Sequence, residues 1–157
     1  MIFQIHALPY QPFRYLFDLS DSDLRTQDAR RVTANTTPGF PCRVSLEDAN
    51  VGETLILMNY KHLNANSPYA STHAIYVREN ARQAQPQPGN VPPVLENRLL
   101  SVRGFDHQDL MQYADVIQGG DLAEMLNEIF ADMSIRFVDI HNAKPGCFAA
   151  RATRVSI

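Results

Sequence analysis

Val138-Asp139-Ile140-His141-Asn142-Ala143-Lys144-Pro145-Gly146-Cys147-Phe148-Ala149-Ala150-Arg151 is the stretch whose reading decides the fold. Residues 134–141 and 147–155 read as strands, and 142–146 with its Pro-Gly pair reads as their connection. A closing β-hairpin follows. Alternation puts Phe137, Asp139 and His141 on one face and Val138 and Ile140 on the other. The apolar pair anchors the strand, while Asp139 and His141 either orient a ligand together or face solvent at a sheet surface. No other stretch gathers a His, an Asn, a Cys and an Arg as closely as residues 141–151.

Outward from the hairpin, Leu122, Met125, Leu126, Ile129 and Phe130 form the clearest amphipathic helix, with Asp121 as its N-cap behind the Gly119-Gly120 break. Residues 98–105 read as a strand, and 106–118 are ambiguous between helix and strand. Residues 54–60 are apolar on both faces, as in a central, covered strand. Residues 73–79 alternate, with His73, Ile75 and Val77 on one face and Ala74, Tyr76 and Arg78 on the other. Shorter strands fit 2–7 and 30–33. A short helix fits 24–29 behind Ser20 or Asp21, and an aromatic helical face fits 12–17. Residues 44–49 suit a short strand or one helical turn. Loops are expected at 36–43 and 61–70, and through the proline-rich 80–97. Strands and helices do not alternate regularly, which argues against a doubly wound parallel sheet. The expected fold is α+β: one domain over 1–157, with a mostly antiparallel or mixed β-sheet packed by two or three helices.

The length suits one domain with a real core. A net charge of -3 and a pI near 5.9 lack the basic excess of a nucleic-acid binder. No window approaches the length of a membrane span, and the first residues, Met1-Ile2-Phe3-Gln4-Ile5-His6, show no signal-peptide pattern. Two cysteines far apart in sequence form no disulfide framework. A cytoplasmic protein with reduced thiols is expected, with neither nucleic acid nor membrane as a partner.

Several side chains are candidates for chemistry. Cys147 follows the turn near His141, where an imidazole could lower a thiol's pKa; a buried thiol would instead behave as a small hydrophobe. Cys42 stands beside Arg43 on a proline-stiffened loop, a setting that suits a reactive thiol. Arg43, Arg78, Arg98, Arg103 and Arg151 lie on or beside predicted strands, and guanidinium forks suit carboxylate or phosphate; salt bridges with Glu47, Asp48, Glu79 or Glu96 are the competing use. Cys42, His62, His73, His141 and Cys147 are the residues that could ligate a metal. None shows the short spacings of zinc motifs, so neither a metal nor another cofactor is expected, with a site assembled from distant strands as the alternative. P-loop, GxGxxG and GxSxG patterns do not occur.

Gly39-Phe40-Pro41-Cys42-Arg43, Ser67-Pro68-Tyr69, His73-Ala74-Ile75-Tyr76-Val77-Arg78-Glu79, His141-Asn142-Ala143 and Gly146-Cys147-Phe148 together resemble a small bacterial family, domain-of-unknown-function family 1203. The resemblance runs over nearly the whole chain, with the segments in the family's order. It implies a bacterial protein of one domain and carries no activity or catalytic residues with it.

Three functions are weighed. The first is a site for a small anionic metabolite, with Arg43, Arg78, Arg103 and Asn142 binding it beside His73 and His141. The second is an enzyme of hydrolase or transferase type, with Cys42 or Cys147 as nucleophile, His141 or His73 as base and an arginine as anion clamp. The third is a structural or interaction domain without a catalytic site.

Overall fold

The structure is a computed structural model that describes residues 2–155. The chain is α+β, and its strands form two antiparallel sheets. In order, the main elements are β1 (Phe3–His6), α1 (Asp21–Thr26), β2 (Ala29–Thr33), β3 (Thr54–Leu63), β4 (Ser71–Arg78), α2 (Pro93–Glu96), β5 (Leu99–Phe105), β6 (Met111–Gln118), α3 (Leu122–Ala131), β7 (Phe137–Asn142) and β8 (Phe148–Arg154). Among the described residues, no helix is long and apolar enough to cross a membrane.

Two compact units emerge from the contacts. One comprises Met1–His6, Lys61–His73 and Gln85–Ile157; the other comprises Ala7–Tyr60 and Ala74–Ala84. The chain passes between them within β3 and within β4.

The first unit is built on a five-stranded sheet in the order β1-β8-β7-β5-β6. Its centre is the predicted hairpin. Asn142 and Gly146 close the connection, Gly146 N–H donating to Asn142 O at 2.8 Å and Asn142 N–H to Cys147 O at 2.9 Å. Gly146 has φ +78°, a left-handed conformation that favours glycine. Every residue of β7 is buried, on both faces. Of the ambiguous segment 106–118, residues 111–118 resolve as strand β6, because β5 offers them an antiparallel register from Leu99↔Gln118 to Phe105↔Met111 with one shift at Gly104/Phe105. A strand can satisfy its backbone groups there against a neighbour, and that outweighs the helical spacing of Leu110, Met111 and Ala114.

Helix α3 buries Leu122, Leu126, Ile129 and Phe130. Asp121 makes no side-chain cap bond, in contrast to the sequence reading; a 3-10 turn, Gly119–Asp121, leads into the helix instead. Beyond the helix end, Arg154 Nη2 donates to Phe130 O at 2.9 Å and to Asp132 O at 3.0 Å. A cation there satisfies carbonyls that the helix leaves unpaired and complements its dipole.

In the second unit, β2, β3 and β4 form a three-stranded sheet. Phe13, Leu16, Leu24, Ala29, Cys42, Val44, Ile56, Ile75 and Val77 make its core. Helix α1 is capped as expected, Ser20 Oγ accepting from Asp23 N–H at 3.1 Å. Strand β3 runs on to Leu63 and β4 begins at Ser71, so the expected loop 61–70 is shorter than its polar composition suggests. The alternation of buried and exposed residues continues past Tyr60 with Lys61 and His62, and a polar buried residue hides it.

Gly119 packs against backbone. A Cβ built there would meet Leu95 O at 1.9 Å, Glu96 O at 2.7 Å and Arg98 O at 2.8 Å, whereas one at Gly120 would meet nothing within 4 Å. We expect Gly119→Ala to cost roughly 3 kcal/mol in urea denaturation, the upper range of overpacking, and Gly120→Ala to leave stability within about 0.5 kcal/mol. Equal midpoints for the two variants would contradict this packing.

Candidate functional site

Two rows of side chains cross the five-stranded sheet. Arg103 on β5 stands opposite Asp139 on β7, and Asp139 stands opposite Arg151 on β8. In the next row Ser101 stands opposite His141, and His141 opposite Phe148. Alternation along β7 puts Asp139 and His141 on one face, as the sequence indicates. Neither faces solvent: both are 0% exposed.

Asp139 is the fixed point. Arg151 grips it with a two-pronged fork, Nε to Oδ1 at 2.7 Å and Nη2 to Oδ2 at 3.0 Å. The same guanidinium lies 4.0 Å above the Phe137 ring and donates to His62 O at 3.2 Å. His62, from β3, completes the set through Nδ1, 3.2 Å from Asp139 Oδ2. Burial raises the pKa of the Asp139 carboxyl, yet the hydrogen bonds from His62 and Arg151 outweigh it and hold the carboxyl below its usual range.

The partners assign the protons. An ionised Asp139 accepts only, so His62 donates to it from Nδ1, while its Nε2 lies 3.0 Å from Ser71 Oγ. The carbonyl of Gly146 likewise only accepts. At 3.0 Å it fixes the proton of His141 on Nδ1 and leaves Nε2 as a bare lone pair.

His62, His73 and His141 form a triangle of rings with centroids 4.8, 4.9 and 5.0 Å apart. Phe148 stacks on His62 at 5.0 Å. One ring nitrogen from each histidine lies within 4.8 Å of the others. Two nitrogens here, His141 Nε2 and His73 Nδ1, are buried without a partner, as is Asn142 Oδ1. An unpaired buried polar atom costs about 1–3 kcal/mol, so such a pair calls for an explanation. Burial keeps both rings neutral. It pushes His141 down to about 3, with help from the charge of Arg103, and it lowers His73 with help from His62 and Arg103. Three converging imidazoles suit a transition-metal ion, and a carboxylate behind one of them is the usual outer support of such a ligand.

The remaining sequence candidates are placed as follows. Cys147 belongs to the same unit, but His141 turns Nδ1 to Gly146 O and its other nitrogen has no partner, so no thiol–imidazole bond exists. Asn142 Nδ2 points at Cys147 Sγ, 3.7 Å away. Arg103 shares the face of Asp139 and bonds Ser101 Oγ through Nε at 3.2 Å. Cys42, Arg43 and Arg78 belong to the other unit, which contains none of the chain's five histidines. Cys42 is 1% exposed, and its sulfur accepts from Ser45 N–H and Arg78 N–H. Arg43 is buried and donates to Pro41 O. Arg78 is paired with Glu53 at 2.6 Å and Glu47 at 3.0 Å, the competing use foreseen for it. The sequence offered His62 only as one of five possible metal ligands, Asp139 only as a same-face neighbour of His141 and Arg151 only as one of five strand arginines, and it did not single out Ser71. Same-face alternation with His141 was the signal for Asp139. For His62 the signal was hidden, because its segment read as loop.

The fold and site define an α+β protein with a buried three-histidine cluster seated on an antiparallel sheet. The family described as "Protein of unknown function (DUF1203)" matches residues 39–154, and the chain belongs to that family. No curated protein and no solved structure matches the chain.

The histidine shift carries a pH dependence. In the unfolded chain His141 takes up a proton near 6.5, and in the folded protein only near 3. Between these values the unfolded state holds the extra proton. Stability is therefore full above pH 6.5 and is lost as pH falls toward 3, by an amount on the order of 5 kcal/mol across the whole window. His73 acts in the same direction. Urea denaturation between pH 7 and pH 4, with a chelator present, should show this fall, and His141→Gln should flatten it. The exposed His107→Gln should not. A wild-type midpoint constant over that range would contradict the buried neutral state.

Proposed function

We propose that the protein binds one divalent transition-metal ion through His62, His73 and His141, with Asp139 orienting His62. The observation that carries this reading is the pair of buried, partnerless nitrogens, His141 Nε2 and His73 Nδ1, beside the ring of His62. The reading departs from the metal-free anion site expected from sequence. A neutral imidazole with its lone pair turned inward repels an anion and attracts a cation. The short-spacing test for metal motifs does not apply, because the three ligands come from three different strands.

The geometry sets what the ion must do. Zinc–imidazole bonds of about 2.1 Å in a tetrahedron place nitrogens roughly 3.4 Å apart. The rings must therefore draw in from their present spread of up to 4.8 Å, and Ser71 must give up His62 Nε2. Rotations about side-chain bonds supply that movement while Asp139 and Gly146 keep hold of the outer nitrogens. Three protein ligands leave a coordination position open, the arrangement of sites that exchange a ligand rather than merely brace a fold.

Calorimetry with zinc and the visible spectrum of the cobalt-loaded protein test the reading. We expect one ion per chain. His73→Ala and His141→Ala should each abolish tight binding, and Asp139→Asn should weaken it by about 10–100-fold. A wild-type chain, stripped with chelator and still folded by circular dichroism, that takes up neither ion would sink the proposal. So would unchanged affinity in the two alanine variants.

A further inference from the structure

Arg103 is a cation with no carboxylate to itself. Its register partner is Asp139, but both oxygens of Asp139 are occupied, Oδ1 by Arg151 and Oδ2 by Arg151 and His62. Among the described residues, the Arg103 guanidinium makes one hydrogen bond, from Nε to Ser101 Oγ, and no ion pair. Arg78, Arg31 and Arg151, by contrast, each reach a carboxylate at 2.6–2.7 Å. Arg103 is half-buried, and burial lowers its pKa. It bonds Ser101, which stands opposite His141, so it lies one row from the triangle on the face it shares with Asp139.

Charge balance then decides what else the site needs. Two guanidiniums face one carboxylate, and the imidazoles supply no negative charge to offset the excess. A divalent ion would add to an excess of positive charge that is already present and partly desolvated, which is costly unless an anion accompanies it. A planar fork beside an open coordination position matches an anion with two oxygens, one for the ion and one for the fork.

We propose that the metal ion carries a small oxyanion, a carboxylate or a phosphate, in its open position, and that Arg103 binds a second oxygen of that anion. The proposal rests on the three-histidine metal reading and adds the class of ligand to it. Arg103 is then the residue that selects the ligand, and the histidines hold the ion that receives it.

The test uses the full-length protein loaded with cobalt. Acetate, phosphate and chloride are titrated separately at constant ionic strength while the visible bands are followed. We expect acetate, phosphate or both to shift the bands saturably at concentrations where chloride does not, and the stronger of the two identifies the source of the oxyanion. Arg103→Met should weaken that binding about tenfold or more, and Arg103→Lys should fall between. Loss of a nearby positive charge should leave cobalt affinity in acetate- and phosphate-free buffer equal or tighter. A cobalt-loaded wild type whose bands ignore all three anions overturns this inference and leaves the metal reading standing. So does an Arg103→Met variant, folded by circular dichroism, that binds the oxyanion as the wild type does. A wild type that takes up no cobalt overturns both.

Discussion

A carboxylate with no exposed surface lies at the middle of the five-stranded sheet, gripped by the fork of Arg151 from the neighbouring strand. The candidate site depends on that pair. A buried charge is tolerable only when its partners are close and well aligned, and Asp139 has three charge-assisted bonds. Having met that requirement, it becomes a rigid acceptor for His62 Nδ1. The orientation of His62 follows from a charge pair that holds this one ring of the triangle from behind. Phe137 beneath the guanidinium and Phe148 against the His62 ring add packing that limits other orientations.

The hairpin sets the second member of the triangle by a different route. Gly146 takes the left-handed conformation that the tight connection requires, and its carbonyl receives the proton of His141. A register shift between Ile140 and His141 marks the place where the strand gives up regular pairing as it enters the turn. The turn thus does two things. It reverses the chain, and it fixes which nitrogen of a buried imidazole is bare. The third member, His73, has no such holder on Nδ1. Two of the three rings are held by a hydrogen bond on Nδ1, and the third is held only by ring packing against them on that side.

The other unit puts similar residue types to structural use. Cys42 packs in the apolar core and accepts two backbone N–H groups. Arg78 is bound by Glu53 and Glu47, and its hydrogen bond to Glu53 draws that carboxyl below its usual pKa. Residues that look reactive in a sequence are here ordinary solutions to burying a sulfur and pairing a charge. What separates Arg103 from Arg78 is local supply: carboxylates surround Arg78, while the one facing Arg103 is already taken.

Much of the architecture was legible in the residues. Alternation along 137–141, the Pro-Gly connection and the apolar spacing of 122–130 determined the closing hairpin and the main helix, because these signals are local. The faces of Asp139 and His141 followed from the same periodicity. Local reading went astray where the deciding partner was distant: residues 111–118 are a strand because β5 pairs with them, and His62 lies on a strand although its neighbours are polar. Ligand spacing misled in the same way, since residues 62, 73 and 141 show no motif until the fold gathers side chains from β3, β4 and β7. Burial was likewise undecidable from the chain. The sequence by itself determined which residues could alternate, turn and cap. Only the tertiary structure decided that three imidazoles would meet, that two of their nitrogens would be sealed from water without a partner, and that Arg103 would stand beside them with its carboxylate already claimed. Those outcomes depend on desolvation and on competition for partners across the sheet, which no local pattern encodes.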